Sequence, residues 1–180
     1  MPDLQGQLLI ASPRMADPNF QRTVVLILRH GEDGAMGLVL NRPLELSVRE
    51  ACEEALATPC KVNGQLHQGG PCEGPLMVLH SDAVAGGIEA SIGVYLTTDK
   101  EDVERLLADP DVPIKCFLGY AGWGTGQLEE EITQGAWLVT PAAGDQIFGD
   151  DARIWSKLMT ILTLGSEIDP NRIPDDPSVN

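Results

Sequence analysis

At the centre of the predicted fold lies the stretch Phe117-Leu118-Gly119-Tyr120-Ala121-Gly122-Trp123-Gly124-Thr125-Gly126-Gln127-Leu128. An apolar strand ends here, a glycine-rich turn follows, and an acidic helix begins near Gln127. Glycine lets the backbone adopt positive φ and approach another surface closely, while Tyr and Trp supply rigid apolar area with a polar tip. The stretch therefore predicts either a binding site or a crossing point, with Gly122 and Gly124 required by the turn itself.

The composition predicts one acidic domain. The chain has 180 residues, and its 12 Lys and Arg against 27 Asp and Glu give a formal net charge of −15. No basic cluster is visible, so we expect no direct binding to nucleic acid and none to an anionic membrane. The N-terminus lacks a basic segment followed by a long apolar run, and the four cysteines form no C-x-x-C pair. We therefore expect a cytoplasmic protein with reduced thiols that neither is exported nor spans a membrane.

The hydrophobic pattern outside this stretch predicts more strands than helices. Strands are predicted at 7–11, 23–30, 36–40, 76–80, 87–97, 114–120 and 136–140, and helices from about 47–57, 99–108, 127–134 and 154–164. Residues 60–75 are expected to be irregular, and Pro43 to end a central strand. Ser47 to Glu50 and Thr98 to Glu101 fit capping boxes, and Gly165 is expected to end the last helix.

This order of elements predicts an α+β fold. The chain opens with a hairpin and shows no regular βαβ alternation, which favours a mixed, mostly antiparallel sheet over the alternative of a doubly wound sheet. We expect a single domain over residues 1–165. Residues 166–180 contain three prolines and few apolar side chains, so they predict a disordered tail.

Nucleotide motifs are absent from the glycine-rich turn. Neither register of G-x-G-x-x-G is complete, and Thr125 stands where a P-loop needs lysine. The carboxylates of Glu129, Glu130 and Glu131 at the helix start would also repel a phosphate. Tight backbone packing is therefore favoured over nucleotide binding.

Metal and nucleophile patterns are equally weak. The spacing of Cys60, His67, Cys72 and His80 matches no usual zinc pattern, and Cys116 lies in mid-strand, where a thiol is usually inert. No G-x-S-x-G elbow is present. The run His80-Ser81-Asp82 contains the residue types of a catalytic triad, but neighbours in sequence do not point at one another as a triad requires. We expect no metal and no cofactor, and the sequence identifies no catalytic residue.

Two short motifs and one indole are candidates for binding. Gly69-Gly70-Pro71 either exposes backbone N–H groups to a ligand carboxylate or turns the chain, and turning is favoured. Arg42, in Asn41-Arg42-Pro43, can form a bidentate ion pair with a carboxylate of this chain or of a partner. An internal pair is favoured in so acidic a protein. Trp123 is either a core side chain or an exposed contact anchor.

Several multi-residue blocks occur along the chain in a recognisable order. They are Gly6-x-Leu8-Leu9-x-Ala11-x-Pro13, Asp17-Pro18-x-Phe20-x-x-Thr23-Val24-Val25, His30, Gly34 to Pro43, Gly69-Gly70-Pro71, Leu79-His80 and Gly119 to Ile132. Together they resemble the bacterial YqgE/AlgH family from about Gly6 to Gly165. Cys72 departs from the aliphatic residue that the family more often has after Gly-Gly-Pro.

The resemblance implies a small cytoplasmic protein of α+β fold, whose bifurcated sheet curls into a pseudo-barrel with flanking helices. It brings no accepted activity. One branch is named as a transcriptional regulator of alginate synthesis, but this chain lacks the basic recognition helix that direct DNA reading requires. Any such role is therefore expected to be indirect.

Two classes of function follow from these observations. The first is a binding or indirect regulatory protein that contacts a protein or small ligand, with the candidate residues Asn41, Arg42, Gly69, Gly70, His80, Trp123, Gln127 and Glu131. The alternative is a small-molecule enzyme with a site near His80 and Gln127. An enzyme would need His80, Asn41, Arg42, Gln127 and Glu131 to converge in one pocket, whereas a docking surface would not. The sequence leaves the oligomeric state open.

Overall fold

The computed structural model describes residues 3–55 and 59–167. Its strands are β1 Gln7–Ala11, β2 Val24–Gly31, β3 Gly34–Val39, β4 Pro43–Ser47, β5 Gln65–Gln68, β6 Met77–His80, β7 Ile88–Ser91, β8 Val94–Thr97, β9 Ile114–Leu118, β10 Ala121–Trp123 and β11 Trp137–Pro141. Its helices are α1 Val48–Ala55, α2 Lys100–Ala108, α3 Gln127–Thr133, α4 Gly144–Ile147 and α5 Ile154–Glu167. Over these residues the fold is the mixed α+β fold that the sequence predicts.

The strands form two sheets. The first sheet has the order β10-β3-β2-β1-β11 and the second β4-β5-β9-β6-β8-β7. Pairs within both sheets are antiparallel except β5 and β9, which run parallel. The described strands make no closed barrel, so the pseudo-barrel expected from the resemblance is not confirmed.

Both sheets are covered on both faces. In β1 and β2, alternate side chains point into two different apolar clusters, which explains why these strands read as continuous apolar runs. One cluster packs the first sheet against the second sheet and α5, through residues such as Leu26, Phe117 and Leu158. A second cluster lies between the first sheet and α3, and a third between the second sheet and helices α1 and α2.

The central glycine-rich stretch carries the chain from one sheet to the other. Strand β9 belongs to the second sheet, and β10, which starts only three residues after β9 ends, belongs to the first. Gly119 makes this crossing with φ +72°, and a Cβ there would lie 2.7 Å from the Cys72 carbonyl oxygen. The interpretation of the stretch as a crossing point is therefore confirmed.

The predicted requirement for glycine at two other positions of this stretch is wrong. Gly122 lies within β10, where the backbone is extended, and neither it nor Gly124 has positive φ. A Cβ at Gly124 would approach nothing nearer than 3.9 Å, and one at Gly122 would make ordinary contacts. The steric demand falls on Gly119, because the crossing precedes β10 rather than following it.

Strands β4, β5 and β10 and helix α4 were not predicted. Pro43 begins β4 at an edge of the second sheet, where its missing N–H is tolerated. Strand β5 lies in the region predicted to be irregular, since four residues are too few to give a clear apolar alternation.

Helix boundaries agree with the predictions in most cases. The Ser47 capping box is confirmed, because Ser47 Oγ accepts from Glu50 N and Ser47 N donates to the Glu50 carboxylate. Asp99 rather than Thr98 caps α2, and α5 continues through Gly165 to Glu167. The predicted end of α1 near Ala57 and all but the first two residues of the predicted tail, 168–180, lie outside the described residues. No helix in the described ranges is long and apolar enough to cross a membrane.

Candidate functional site

Gly69 connects the two sheets. Val39 N of β3 donates a hydrogen bond to Gly69 O at 2.7 Å, and Gly69 N donates to Leu118 O of β9 at 2.8 Å. A Cβ at Gly69 would lie 2.2 Å from the Gly119 carbonyl oxygen, and one at Gly70 would lie 2.2 Å from the Tyr120 carbonyl carbon. Both glycines are therefore explained by close backbone packing at this junction.

A small cleft opens beside the junction. It has a volume of about 110 Å³ and is lined by Pro18, Asn19, Val39, Arg42, Gln68, Gly70 and Pro71. Three sequence blocks that are distant along the chain meet here, namely Asp17-Pro18, Asn41-Arg42-Pro43 and Gly69-Gly70-Pro71. Two of the predicted site residues, Arg42 and Gly70, thus line the same cavity.

Arg42 is held in a defined position within this cleft. Its Nη2 donates to the Gln21 carbonyl oxygen at 2.7 Å, and its own carbonyl oxygen accepts from Gln68 N at 2.8 Å. Among the side chains that the structure describes, no carboxylate forms an ion pair with Arg42. The internal carboxylate pair expected for Arg42 is not found among these side chains, and a guanidinium with five N–H donors has further donors to offer a ligand.

Asn41 fixes the chain just after the loop that carries Pro18 and Asn19 of the cleft lining. Its Oδ1 accepts from Val24 N and its Nδ2 donates to Arg22 O, both at 2.9 Å. Arg22 has φ +55°, which is uncommon for a residue other than glycine, and its guanidinium carbon lies 4.5 Å from the centre of the Trp155 ring. Asn41 thus supports the cleft through its hydrogen bonds, whereas Arg42 lines it.

The electrostatics of the cleft differ from those of the whole protein. Its lining contains one permanently charged cation and no carboxylate, although the chain carries a formal net charge of −15. The arrangement is suited to one small anionic group, since a guanidinium can give two parallel hydrogen bonds to a carboxylate.

Three other predicted site residues form a separate cluster beside the first sheet. Glu131 Oε2 accepts from Trp123 Nε1 at 3.0 Å and from Trp137 Nε1 at 2.8 Å, and Glu131 Oε1 accepts from Gln127 Nε2 at 3.0 Å. Trp123 is only 5% exposed, and the Phe20 ring stacks on it. The indole is therefore a core side chain, and the hypothesis of an exposed contact anchor is wrong.

His80 lies in a third place, within β6 of the second sheet. It is fully buried against Tyr95, and neither ring nitrogen makes a hydrogen bond of ordinary geometry within the described residues. Burial lowers the pKa of His80, against opposing effects of the neighbouring Asp82 and Gly86 backbone. The exposed Gln127 belongs to α3 on the first sheet, so the structure does not bring these two residues into one site.

The sequence analysis missed a partly buried triad of ionisable side chains, His67, Lys115 and Asp151. Asp151 accepts from His67 Nε2 at 2.7 Å through one carboxylate oxygen and from Lys115 Nζ through the other, and Lys115 also donates to Ile147 O at 3.1 Å. Burial lowers the pKa of Lys115, against the opposing effect of Asp151. Burial would raise the pKa of Asp151, but the hydrogen bonds from His67 and Lys115 together hold it below its usual value.

One signal could have indicated this triad. Lys115 is the second residue of the otherwise apolar strand β9, and lysine is seldom buried without a partner. The triad attaches the turn before α5 to the second sheet. No group of three or more His, Cys, Asp or Glu side chains among the described residues is arranged to hold a metal ion.

Comparison with known proteins places the chain in a family. The family described as AlgH-like matches residues 8–166. The chain belongs to the AlgH-like family. This match confirms the resemblance to the YqgE/AlgH proteins. The matched residues include those of the cleft, the indole cluster and the triad of this AlgH-like chain.

Relatives in several bacteria cover nearly the same length. The UPF0301 protein CT0663 of Chlorobaculum tepidum is 39% identical over 159 residues, covering 84% of this chain and 83% of that protein. The UPF0301 protein SCO2948 of Streptomyces coelicolor is 39% identical over 186 residues, covering 98% and 95%. The solution structure of the AlgH protein from Pseudomonas aeruginosa matches with a TM-score of 0.72 and 28% identity, covering 99% of this chain and 97% of that one.

Proposed function

We propose that this chain is a cytoplasmic binding protein with an indirect regulatory role, whose cleft receives the carboxylate group of a small ligand or of a partner's peptide chain. The observation that carries the proposal is the position of Arg42. Its guanidinium is oriented by the Gln21 carbonyl oxygen, and Arg42 is among the residues of a cavity lining that contains no carboxylate. An oriented guanidinium loses less conformational freedom when it binds than a freely rotating one.

The size of the cleft limits what it can hold. A volume of about 110 Å³ accommodates a carboxylate with a short stem, but not a nucleotide or a duplex. The formal charge of −15 opposes DNA binding, since no basic cluster exists to release counterions. Specificity then comes from the neutral polar side chains of Asn19 and Gln68 and from the apolar wall of Pro18 and Pro71.

The test is an NMR titration of the ¹⁵N-labelled protein with sodium succinate. We expect the backbone amides of Gln68 and Gly70 and the Arg42 side-chain N–H to shift, with a Kd on the order of millimolar. This range follows because one bidentate pair supplies only about 1.5–3 kcal/mol for each charged hydrogen bond, before the loss of ligand freedom.

Two variants separate the cleft from general electrostatics. Arg42→Ala should abolish these shifts, whereas Arg153→Ala, which removes an equal charge from an exposed side chain elsewhere, should leave them unchanged. Thermal unfolding of both variants shows whether each remains folded. If folded Arg42→Ala protein still gives the succinate shifts, the ligand does not bind through this guanidinium and the proposal is wrong.

A further inference from the structure

A second pocket adjoins the segment that holds Arg42. It has a volume of about 280 Å³ and is lined by Ser12, Pro13, Met15, Gln21, Arg22 and Trp155. Gln21 belongs to this lining, and its carbonyl oxygen is the acceptor that orients the Arg42 guanidinium. The next residue, Arg22, is tied to the same motif, because its carbonyl oxygen accepts from Asn41 Nδ2 at 2.9 Å. The two pockets are therefore neighbours that meet at residues 21–22.

The second pocket has the same charge pattern as the cleft. Its lining contains one arginine, Arg22, and no carboxylate. None of the ion pairs in the part of the chain that the structure describes involves Arg22. Asp17 is the one acidic residue of the loop 12–22, and its carboxylate accepts from Asn19 N at 2.8 Å. In a chain with a formal net charge of −15, two neighbouring arginines thus remain available to an acidic ligand.

The backbone of Arg22 is strained and its side chain is held in place. Its φ of +55° lies in the left-handed region, which is unfavourable for a residue with a side chain. Its guanidinium carbon lies 4.5 Å from the centre of the Trp155 ring, and Trp155 Nε1 donates to Ala11 O at 2.8 Å. A guanidinium placed over a ring keeps its N–H donors for another acceptor. Backbone strain of this kind is concentrated at ligand-binding positions, where the surrounding structure maintains it.

We propose that the two pockets together bind an acidic peptide segment of a partner protein, in which one carboxylate pairs with Arg42 and a second with Arg22. This inference rests on the proposed function of the cleft and adds a second subsite and the class of partner. Alternate side chains of an extended peptide lie on the same face, so two acidic residues at positions i and i+2 or i and i+4 can meet two cations. Pro13 and Met15 give the second subsite an apolar wall for a neighbouring side chain of the peptide.

The net charge of the protein makes two-subsite binding distinguishable from general electrostatics. A formal charge of −15 by itself repels a ligand with two carboxylates more than a ligand with one. Tighter binding of the doubly acidic ligand therefore requires that its second carboxylate meets a local cation. Arg22 is the cation that the second pocket provides.

The experiment is an NMR titration of the ¹⁵N-labelled full chain with N-acetylated, C-amidated peptides. Two peptides have the sequences Glu-Leu-Glu and Glu-Leu-Leu-Leu-Glu, and in the matched control of each the second Glu is replaced by Gln. We expect at least one diacidic peptide to bind about tenfold more tightly than its control, since a charged hydrogen bond supplies a factor of this order. The same peptide should shift both the Gly70 amide and the Trp155 indole N–H. The inference is overturned if neither diacidic peptide binds more tightly than its control.

Two variants test whether Arg22 receives the second carboxylate. Arg22→Gln removes the charge and keeps an unbranched side chain, and it should abolish the tenfold advantage of the diacidic peptide. Arg14→Gln is the matched control, because it removes an equal charge from an exposed side chain of the same loop that lines neither pocket. It should retain the advantage. Thermal unfolding verifies that both variants are folded, and a folded Arg22→Gln protein that keeps the advantage contradicts the second subsite.

Succinate separates a failure of the second subsite from a failure of the cleft. Succinate shifts in the unmodified chain that depend on Arg42, without any advantage of the diacidic peptides, would refute only the second subsite. Absence of succinate shifts at Gln68 and Gly70 would refute the proposed function of the cleft, on which the second subsite depends.

Discussion

His67 Nε2 lies 2.7 Å from Asp151 Oδ2, and this contact joins β5 in the second sheet to the turn before α5. The other oxygen of Asp151 accepts from Lys115, which is only 8% exposed.

Removing one member of a buried ion pair leaves an uncompensated charge. We expect Asp151→Asn to lower the free energy of unfolding by about 3 kcal/mol, measured by urea denaturation. Asp33→Asn, at a side chain that is 96% exposed, is the control and should change it by less than about 0.5 kcal/mol. Equal midpoints for the two variants would show that the triad contributes nothing to stability.

The same carboxylate predicts how stability depends on pH. The pKa of Asp151 lies below its usual value of 3.8, so the folded state holds fewer protons than the unfolded state. Its contribution is therefore complete above about pH 4 to 5 and is lost as the pH falls through the lower pKa of the folded state. We expect the stability difference between the unmodified chain and Asp151→Asn to shrink as the pH is lowered below 3.8. Urea denaturation at a series of pH values measures this, and a difference that stays constant to pH 2 contradicts it.

Glu131 is expected to support the indole cluster. Its Oε2 accepts from both Trp123 and Trp137 and its Oε1 accepts from Gln127 Nε2, so a glutamine there would present its NH₂ group to at least one of these three donors. We expect Glu131→Gln to destabilise the protein by roughly 1–3 kcal/mol and to change its tryptophan fluorescence. Glu130→Gln provides the control, since the Glu130 carboxylate accepts a hydrogen bond from the exposed side-chain amide of Gln134. The idea fails if both variants unfold at the same urea concentration.

Gly119 rather than Gly124 should be sensitive to substitution. Gly119 has φ +72° and a carbonyl oxygen 2.7 Å from the position of a Cβ, while Gly124 has open space around it. We expect Gly119→Ala to cost on the order of 1–3 kcal/mol and Gly124→Ala to change stability by less than about 0.5 kcal/mol. Thermal unfolding of the two variants compares them directly. A larger loss for Gly124→Ala would mean that the crossing is not where the strain lies.

The sequence predicted those elements whose signal is local. The strands β1, β2 and β3, the Ser47 cap and the helix at Gln127 all follow from apolar runs, turn residues or caps within a few positions. Strand β5 was missed because its four residues are defined by the partners β4 and β9, which lie far away along the chain. Short strands of this kind have no independent pattern to detect.

The candidate site also contains residues that the sequence indicates and contacts that only the fold determines. Arg42 could be selected as an arginine at a strand end and Gly70 as part of the Gly69-Gly70-Pro71 motif, and the structure places both in one cleft. Lys115 in an apolar strand indicates that a buried partner exists, but Asp151 could not be identified as that partner, since the two residues are 36 positions apart and meet through a tertiary contact. His80 and Trp123 were assigned to binding because of their residue types, but both are buried by packing that only the fold determines.

The two backbone hydrogen bonds of Gly69 affect how the protein unfolds. Its carbonyl oxygen and its N–H group are bonded to different sheets, so that an opening of either sheet at this point removes a partner from the other. The amides of Val39 and Gly69 should therefore exchange with deuterium at similar, slow rates, limited by one shared opening event. We therefore expect the two sheets to unfold together, in one cooperative step.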